Sequence, residues 1–265
     1  MTGTFAATRT IWAKHMRKFI ANGEELFGTM IQPVLWVVLF GAGMKSLVGS
    51  ATSAGGGNYV GFMLPGIVAL SAMGGAIGGG MTWLDERLRG IVKEYLVAPI
   101  PRLSILLGNA GSTVSKAIFQ TAVIFIVGIL MGADPVVDIV GWIAGVALIV
   151  GYALGFTGLA LAVASKTDNL MAYHATIMLL NLPVLFLSSA LYPLSSLPRW
   201  MRVGAIANPT SYLADGLRQT VLNGAIVSIG TAEFPLWLCL VVTAGFAAMG
   251  LAIAAREFAK TTARG

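Results

Sequence analysis

The sequence predicts an all-α integral membrane protein, and three observations carry that expectation. Hydrophobic residues make up 57% of the chain and charged residues only 11%, against about 25% charged in soluble domains. Six apolar runs, 27–46, 59–83, 104–132, 139–164, 171–193 and 232–255, reach the roughly 20 residues that a helix needs to cross a bilayer. Basic residues cluster beside the ends of those runs, which is where membrane topology places them. The mean hydropathy is +0.83 over 265 residues, so residues 1–265 read as a single transmembrane domain. No polar stretch is long enough to build a core of its own.

Residues 1–26 precede the first span and read as an amphipathic interface helix. Phe5, Trp12, Met16 and Phe19 gather on one face, with Lys14, Arg17 and Lys18 on another. Aromatic residues opposite Lys and Arg describe a helix lying at the membrane surface among lipids. Arg9 falls on the apolar side, where its stem can snorkel. The charges at the start of the chain are not followed by a short apolar core and a small-residue cleavage site, so no cleavable signal peptide is expected.

The spans carry abundant small residues. Gly74, Gly75, Gly78, Gly79 and Gly80 crowd the second one beside Ala72 and Ala76, a composition that lets helices approach closely, within a subunit or across a dimer. The third span is longer than a bilayer requires, so its first turns project beyond the membrane with Lys116 near the interface. The fifth is interrupted by Asn181 and Pro183. Polar residues inside spans are costly, which makes Gln32, Gln120, Thr157, Asn181 and Ser188 candidates to face a pathway or a dimer interface. No span carries an acidic residue near its middle, which argues against an ion-coupled carrier.

Residues 84–98, LDERLRGIVKEYLVA, hold Asp85, Glu86, Arg87, Arg89, Lys93 and Glu94, the densest charge in the chain. Leu84, Leu88, Ile91 and Tyr95 recur at helical spacing, which predicts one amphipathic helix with an anchored face and a charged face. Residues 194–223 are too polar to span and too apolar for a plain loop. Pro198 and Pro209 can each open a short helix, and Leu197, Trp200, Met201, Val203 and Ile206 supply a membrane-seeking face. These read as short re-entrant helices before the last span.

Charge counting orients the chain. With both termini cytoplasmic, the inner side holds Arg9, Lys14, Arg17, Lys18, Arg87, Arg89, Lys93, Arg102, Lys116, Lys166, Arg256, Lys260 and Arg264. The outer side keeps Lys45, Arg199, Arg202 and Arg218. That asymmetry predicts N-in, C-in. It also accounts for the net charge of +6 without a nucleic-acid partner.

Absent motifs narrow the chemistry. There is no G-x-x-x-x-G-K-[ST] phosphate loop, and GNAGSTVSK at 108–116 has the wrong spacing. Neither H-E-x-x-H nor G-x-S-x-G occurs. His15 and His174 have no ligand cluster around them in sequence. The lone Cys239 excludes a disulfide framework and a cysteine-based metal site. No catalytic residue, metal ligand or cofactor is assigned to the chain.

Three strings then carry a resemblance: YVGFMLPGIVALSAM at 59–73, WLDERLRGIVKEYLVAPIPRLSILLGN at 83–109 and SSALYPLSSLPRWMRVGAIANPTSYLADGLR at 188–218. Together they resemble the membrane subunit of type-2 ABC exporters, particularly the daunorubicin-resistance branch, over nearly the whole chain. The resemblance implies a permease that forms a homodimer and pairs with two copies of a cytoplasmic ATP-binding subunit, where ATP and Mg would be held. It implies that 84–98 is the coupling helix docking on that subunit, with Glu86, Arg87, Gly90, Glu94, Leu96, Pro99 and Arg102 as matching positions; Arg89 and Lys93 of the same segment are expected to take part in the coupling.

It further implies that the N-terminal helix with Trp12, Lys14, Arg17 and Lys18 is the interface helix. Tyr192, Pro193, Pro198, Asn208, Pro209 and Arg218 would belong to an outer gate. The expected cargo is a hydrophobic or amphiphilic compound (drug, antibiotic or lipid) leaving the cell, and the expected location is a prokaryotic inner membrane. The alternatives are export of a lipid-linked polysaccharide, and an ATP-independent carrier. On this reading, replacing Glu86 and Arg87 together by alanine leaves the fold intact and uncouples ATP turnover from transport.

Overall fold

A computed structural model describes residues 2–51, 59–98, 100–136, 138–192, 194–222 and 234–263, with the side chains at 2, 3, 44–51, 59, 96, 102, 195 and 258–263 left undescribed. Helices account for nearly all of it. In chain order they are α1 (Thr2–Ala21), α2 (Gly23–Ala51), α3 (Tyr59–Leu88), α4 (Ile91–Val97), α5 (Arg102–Leu130), α6 (Ile139–Lys166), α7 (Leu170–Phe186), α8 (Arg199–Ala207), α9 (Pro209–Val221) and α10 (Leu236–Ala263). A 3-10 turn at Leu194–Ser196 precedes α8. Among the described residues the only β pairing is an isolated bridge between Pro135 and Leu222.

Five of these helices contain stretches long and apolar enough to span: Gly23–Gly43, Val60–Leu88, Leu103–Leu130, Ile139–Lys166 and Leu236–Glu257. The chain is a multi-pass membrane protein. The expected span 171–193 is instead the 17-residue apolar helix α7, roughly 25 Å long at 1.5 Å per residue. It continues through Asn181 and Pro183 and stops at Phe186, after which residues 187–192 run as bends.

Helix starts follow local chemistry. Asp138 accepts from the backbone N–H groups of Val140 and Gly141 at 3.2 and 3.0 Å, capping α6. Asn169 caps α7 through the Met171 N–H at 2.7 Å. Asn208 caps α9 through the Thr210 N–H at 3.0 Å, with Pro209 in the first helical turn.

The core has two levels. At the α9 end, Met63, Leu64 and Ile67 of α3 pack with Leu148 and Tyr152 of α6, Leu213 and Leu217 of α9, and Phe246 of α10. At the α4 end, Trp83 and Leu84 of α3 pack with Ile11 of α1, Val92 of α4, Ile105 and Leu106 of α5, Leu161 of α6 and Tyr173 of α7. Helix α1 lies along the first half of α5 in parallel register. The Ser104 hydroxyl donates to the Thr4 carbonyl at 3.1 Å, Trp12 Nε1 donates to Ser115 Oγ at 3.0 Å, and the Phe19 and Phe119 rings meet edge to face at 6.4 Å.

That packing corrects one residue of the face expected of α1, Phe19, which is 1% exposed. Ile11, His15 and Phe19 are its buried stripe, while Phe5 is 74% exposed and Trp12 sits at the rim. The polar character of His15 conceals the stripe in the sequence. The second correction is at Gly90, whose φ of 81° breaks 84–98 into the last turn of α3 and the separate α4. The break resets the helical phase, so Val92 is buried rather than Ile91; Leu84 is buried, and Leu88 at the end of α3 is 48% exposed. In the glycine-rich part of α3, Gly79 and Gly80 abut Thr113 and Tyr173, but Gly74 and Gly78 face open space.

The Leu64-Pro65-Gly66 string has a steric reason. A Cβ on Gly66 would stand 2.1 Å from the Ala190 carbonyl oxygen, so the bends after α7 can press on α3 only at a glycine. Overpacking of this kind costs about 1–3 kcal/mol. Thermal unfolding of the purified chain in detergent should therefore show Gly66→Ala melting well below the parent. Gly74→Ala, with no atom within 4 Å of the added Cβ, should melt unchanged.

Candidate functional site

Three sets of polar residues stand out, one at the α4 end, one at the α9 end and one between them. At the α4 end, Glu86 lies in the last turn of α3 with its side chain 7% exposed. Its Oε1 accepts from Lys14 Nζ at 2.6 Å and lies 3.2 Å from His15 Nε2. The other ring nitrogen of His15 is 3.4 Å from Ser112 Oγ on α5. Lys14 also donates to the Tyr95 hydroxyl of α4 and sits over that ring at 5.1 Å. Burial alone would push the Lys14 ammonium down; its hydrogen bonds and charge contacts with Glu86 and Tyr95 outweigh that and hold it above the usual amine range. One carboxylate thus joins α1, α3 and, through Lys14, α4.

Arg87 faces the opposite side. Its guanidinium donates to the carbonyls of Ser165 (2.6 Å) and Thr167 and to Asp168 Oδ1 (3.0 Å). The last carbonyls of a helix lack intrahelical donors, and a planar fork of five N–H groups suits several of them at once. Arg87 therefore closes the C-terminus of α6. The two side chains expected to meet a partner, Glu86 and Arg87, are both turned into the protein.

The exposed surface here is made by others. Arg89 is 70% exposed and bonds Asp85 at 2.8 Å across one helical turn, while Lys93 and Glu94 are exposed on α4. Leu88 and Val97 flank them, Val97 at 87% exposure. Pro99 lies outside the described residues, and the side chains of Leu96 and Arg102 are not described. On α1, Arg17 and Lys18 are exposed.

At the α9 end, Arg218 is buried. Its Nε donates to the Phe62 carbonyl at 3.2 Å and one terminal nitrogen donates to the carbonyls of Ser189 (2.8 Å) and Ala190 (3.2 Å). It stacks on the Phe62 ring at 4.0 Å, a contact that favours a desolvated guanidinium. Asn208 joins two helix ends. Its Nδ2 donates to the carbonyls of Val184 and Leu187 at 2.7 and 2.6 Å, while its Oδ1 caps α9. Pro198 precedes α8, and Tyr192 is 46% exposed; Pro193 lies outside the described residues.

Between these ends, the candidate pathway residues separate. Gln32, Gln120 and Asn181 line one cavity of about 270 Å3 between α2, α3, α5 and α7, with Thr29, Ser71 and Trp36. Thr157 and Ser188 do not join them. Each is fully buried and donates to its own chain, to Ala153 O at 2.6 Å and Leu185 O at 2.7 Å. Lys116 pairs with Glu25 at 2.8 Å over the Phe19 ring, one helical turn from Gln120. Among the described residues, no group of His, Cys, Asp and Glu is placed to hold a metal ion.

Sequence reasoning missed the inward direction of Glu86 and Arg87 and the role of His15. The only signal for either is that both charges stand one turn before Gly90, where the chain must still pack.

Residues 6–222 match the family model for the ABC-2 type transporter. A protein of Porphyra purpurea named "Putative transport permease ycf38" is 32% identical over 203 residues, covering 75% of this chain and 68% of its own length. The "Inner membrane transport permease YadH" of Escherichia coli strain K12 is 26% identical over 227 residues, 83% of this chain and 84% of that protein. The "Probable multidrug ABC transporter permease YbhR" of the same strain is 24% identical over 188 residues, 71% of this chain and 50% of that protein.

If the Glu86 cluster fastens α1 to α3, Glu86→Ala should strip a buried pair and cost about 1–3 kcal/mol. Arg89→Ala removes an exposed ion pair worth under about 1 kcal/mol. Unfolding midpoints of the two variants should separate accordingly. A second readout is trypsin, which should cut at Arg17 or Lys18 faster in Glu86→Ala alone.

Proposed function

The chain belongs to the ABC-2 type transporter family, and on that premise we propose that it is the membrane subunit of an ATP-driven exporter for hydrophobic or amphiphilic compounds. Two copies form the membrane part, oriented N-in and C-in, with α7 as the fifth of six spans. Two cytoplasmic ATP-binding subunits supply the energy, since members of this family work with such a subunit and no phosphate loop is present in this sequence.

The observation that carries the reading is the split at Gly90. Arg89, Lys93 and Glu94, flanked by Leu88 and Val97, form an exposed face of mixed charge and apolar contact, the composition of a small docking surface. Directly behind it, Glu86 and Arg87 are tied to α1 and to the end of α6. A push on α4 is therefore delivered to α1, α3, α5 and α6 as one body. Tilting of α2 and α7 against that body would open a path at the interface between copies. The cargo class rests on the weakly charged spans and on the similarity to YbhR, whose name describes a multidrug transporter permease.

The test uses the co-expressed complex. Arg89→Glu with Lys93→Glu should leave the unfolding midpoint of the permease unchanged and abolish both co-purification of the ATPase and compound export. Full export by that variant would contradict the docking face. Glu86→Gln should instead keep the ATPase bound while slowing export more than ATP turnover.

A further inference from the structure

The outward face of α8 carries a charge pattern that the packing of the fold does not use. The inner face of the helix is fixed. Ala205 is fully buried with Leu194 and Leu197, Met201 packs against them, and a Cβ on Gly204 would stand 3.3 Å from Leu187 Cδ1. Asn208, directly after the helix, donates to the carbonyls of Val184 and Leu187 where α7 ends. The protein therefore sets the position of α8 and with it the direction of the outward residues.

Those residues are ordered along the axis. Arg199 and Arg202 stand in the first turn, and Val203 and Ile206 follow in the second. Spacings of three and four put all four on one face, with Trp200 beside them. Trp200 is 70%, Val203 69% and Ile206 45% exposed, and both arginines are exposed. On an ordinary amphipathic helix, charge and apolar surface divide around the axis; here they divide along it. A phospholipid has the same order, a charged phosphate followed by apolar chains.

The two bases also stand where few are found. Arg218 is buried, so Arg199 and Arg202 are the exposed bases among the described side chains of the α9 end. The Arg199 side chain makes no hydrogen bond or ion pair with a described residue. Arg202 Nε donates to the Leu194 carbonyl at 3.2 Å, which holds that guanidinium at the first turn. A guanidinium fork matches the oxygens of a phosphate, and a Trp ring settles at head-group level.

We propose that α8 is a docking surface for an anionic phospholipid, with the lipid phosphate on Arg199 and Arg202 and an acyl chain along Val203 and Ile206. A zwitterionic lipid is disfavoured because its choline would bring a further cation beside two guanidinium groups. On the orientation proposed above the lipid belongs to the outer leaflet; the docking does not depend on the exporter reading.

The experiment uses the full chain in phosphatidylcholine nanodiscs, with a bimane label at Ala207→Cys, beside the proposed chain path, or at Ile143→Cys, an exposed reference on α6. Cys239 is buried, so the label goes to the introduced cysteine. Doxyl-labelled phosphatidylglycerol and phosphatidylcholine with identical tails serve as quenchers. Half-quenching at Ala207→Cys should need about fivefold less phosphatidylglycerol than phosphatidylcholine, with equal amounts needed at Ile143→Cys. Arg199→Gln with Arg202→Gln should abolish the difference. Should that variant not fold, Arg199→Gln alone, which removes no described side-chain contact, should cut it by about twofold. Equal quenching by the two lipids at Ala207→Cys, or a preference that survives in a folded variant, overturns the proposal. So does the absence of quenching by either lipid, which would place the face in water as a surface for a soluble protein.

Discussion

The arrangement depends on where the charge of Glu86 is held. A carboxylate 7% exposed cannot stand alone at the end of a membrane helix, and this one is met by Lys14 and His15 of α1. Lys14 in turn reaches Tyr95. The consequence is mechanical. Helix α1 cannot leave without unpairing that carboxylate, and α4 cannot swing freely about Gly90 without breaking the Lys14–Tyr95 contact. On the other side of the same turn, Arg87 holds the end of α6. The last turn of α3 is a junction, and the exposed residues Arg89, Lys93 and Glu94 lie just beyond it.

The opposite end uses the same principle with the signs changed. Backbone carbonyls left over where α7 stops and the chain bends need donors in a place with little water. Asn208 and Arg218 supply them, to Val184, Leu187, Ser189, Ala190 and Phe62. Gly66 lets that bent segment approach α3. That irregular backbone is thereby buried in protein. Between the two braced ends, α2 and α7 have largely uncovered apolar faces, with Leu39, Leu179 and Leu182 exposed. The cavity lined by Gln32, Gln120 and Asn181 adjoins both of these more loosely held helices.

Much of the fold is legible in the sequence because its signals are local. Apolar length marks the five long helices, and Pro198 and Pro209 separate α8 from α9. Periodicity failed where a tertiary choice intervened. Leu84, Leu88, Ile91 and Tyr95 fit one helical face only if the helix is continuous, and Gly90 interrupts it. The buried stripe of α1 includes a histidine, so hydrophobicity alone points to Phe5 and Trp12. Of five polar residues flagged in spans, Gln32, Gln120 and Asn181 share a cavity, while Thr157 and Ser188 satisfy their own backbone. Nothing in sequence spacing separates the two groups, because a hydroxyl can bond its own helix and a long carboxamide seldom does.

The central claim is that α4, the end of α3 and α1 move as one body when a partner pushes on α4. Pulsed dipolar spectroscopy on the complex, with spin labels at Lys93→Cys and Arg17→Cys and then at Lys93→Cys and Val203→Cys, tests it directly. The first distance should stay constant between nucleotide-free and ATP-trapped states while the second changes. A change in the first distance with the second constant would contradict it.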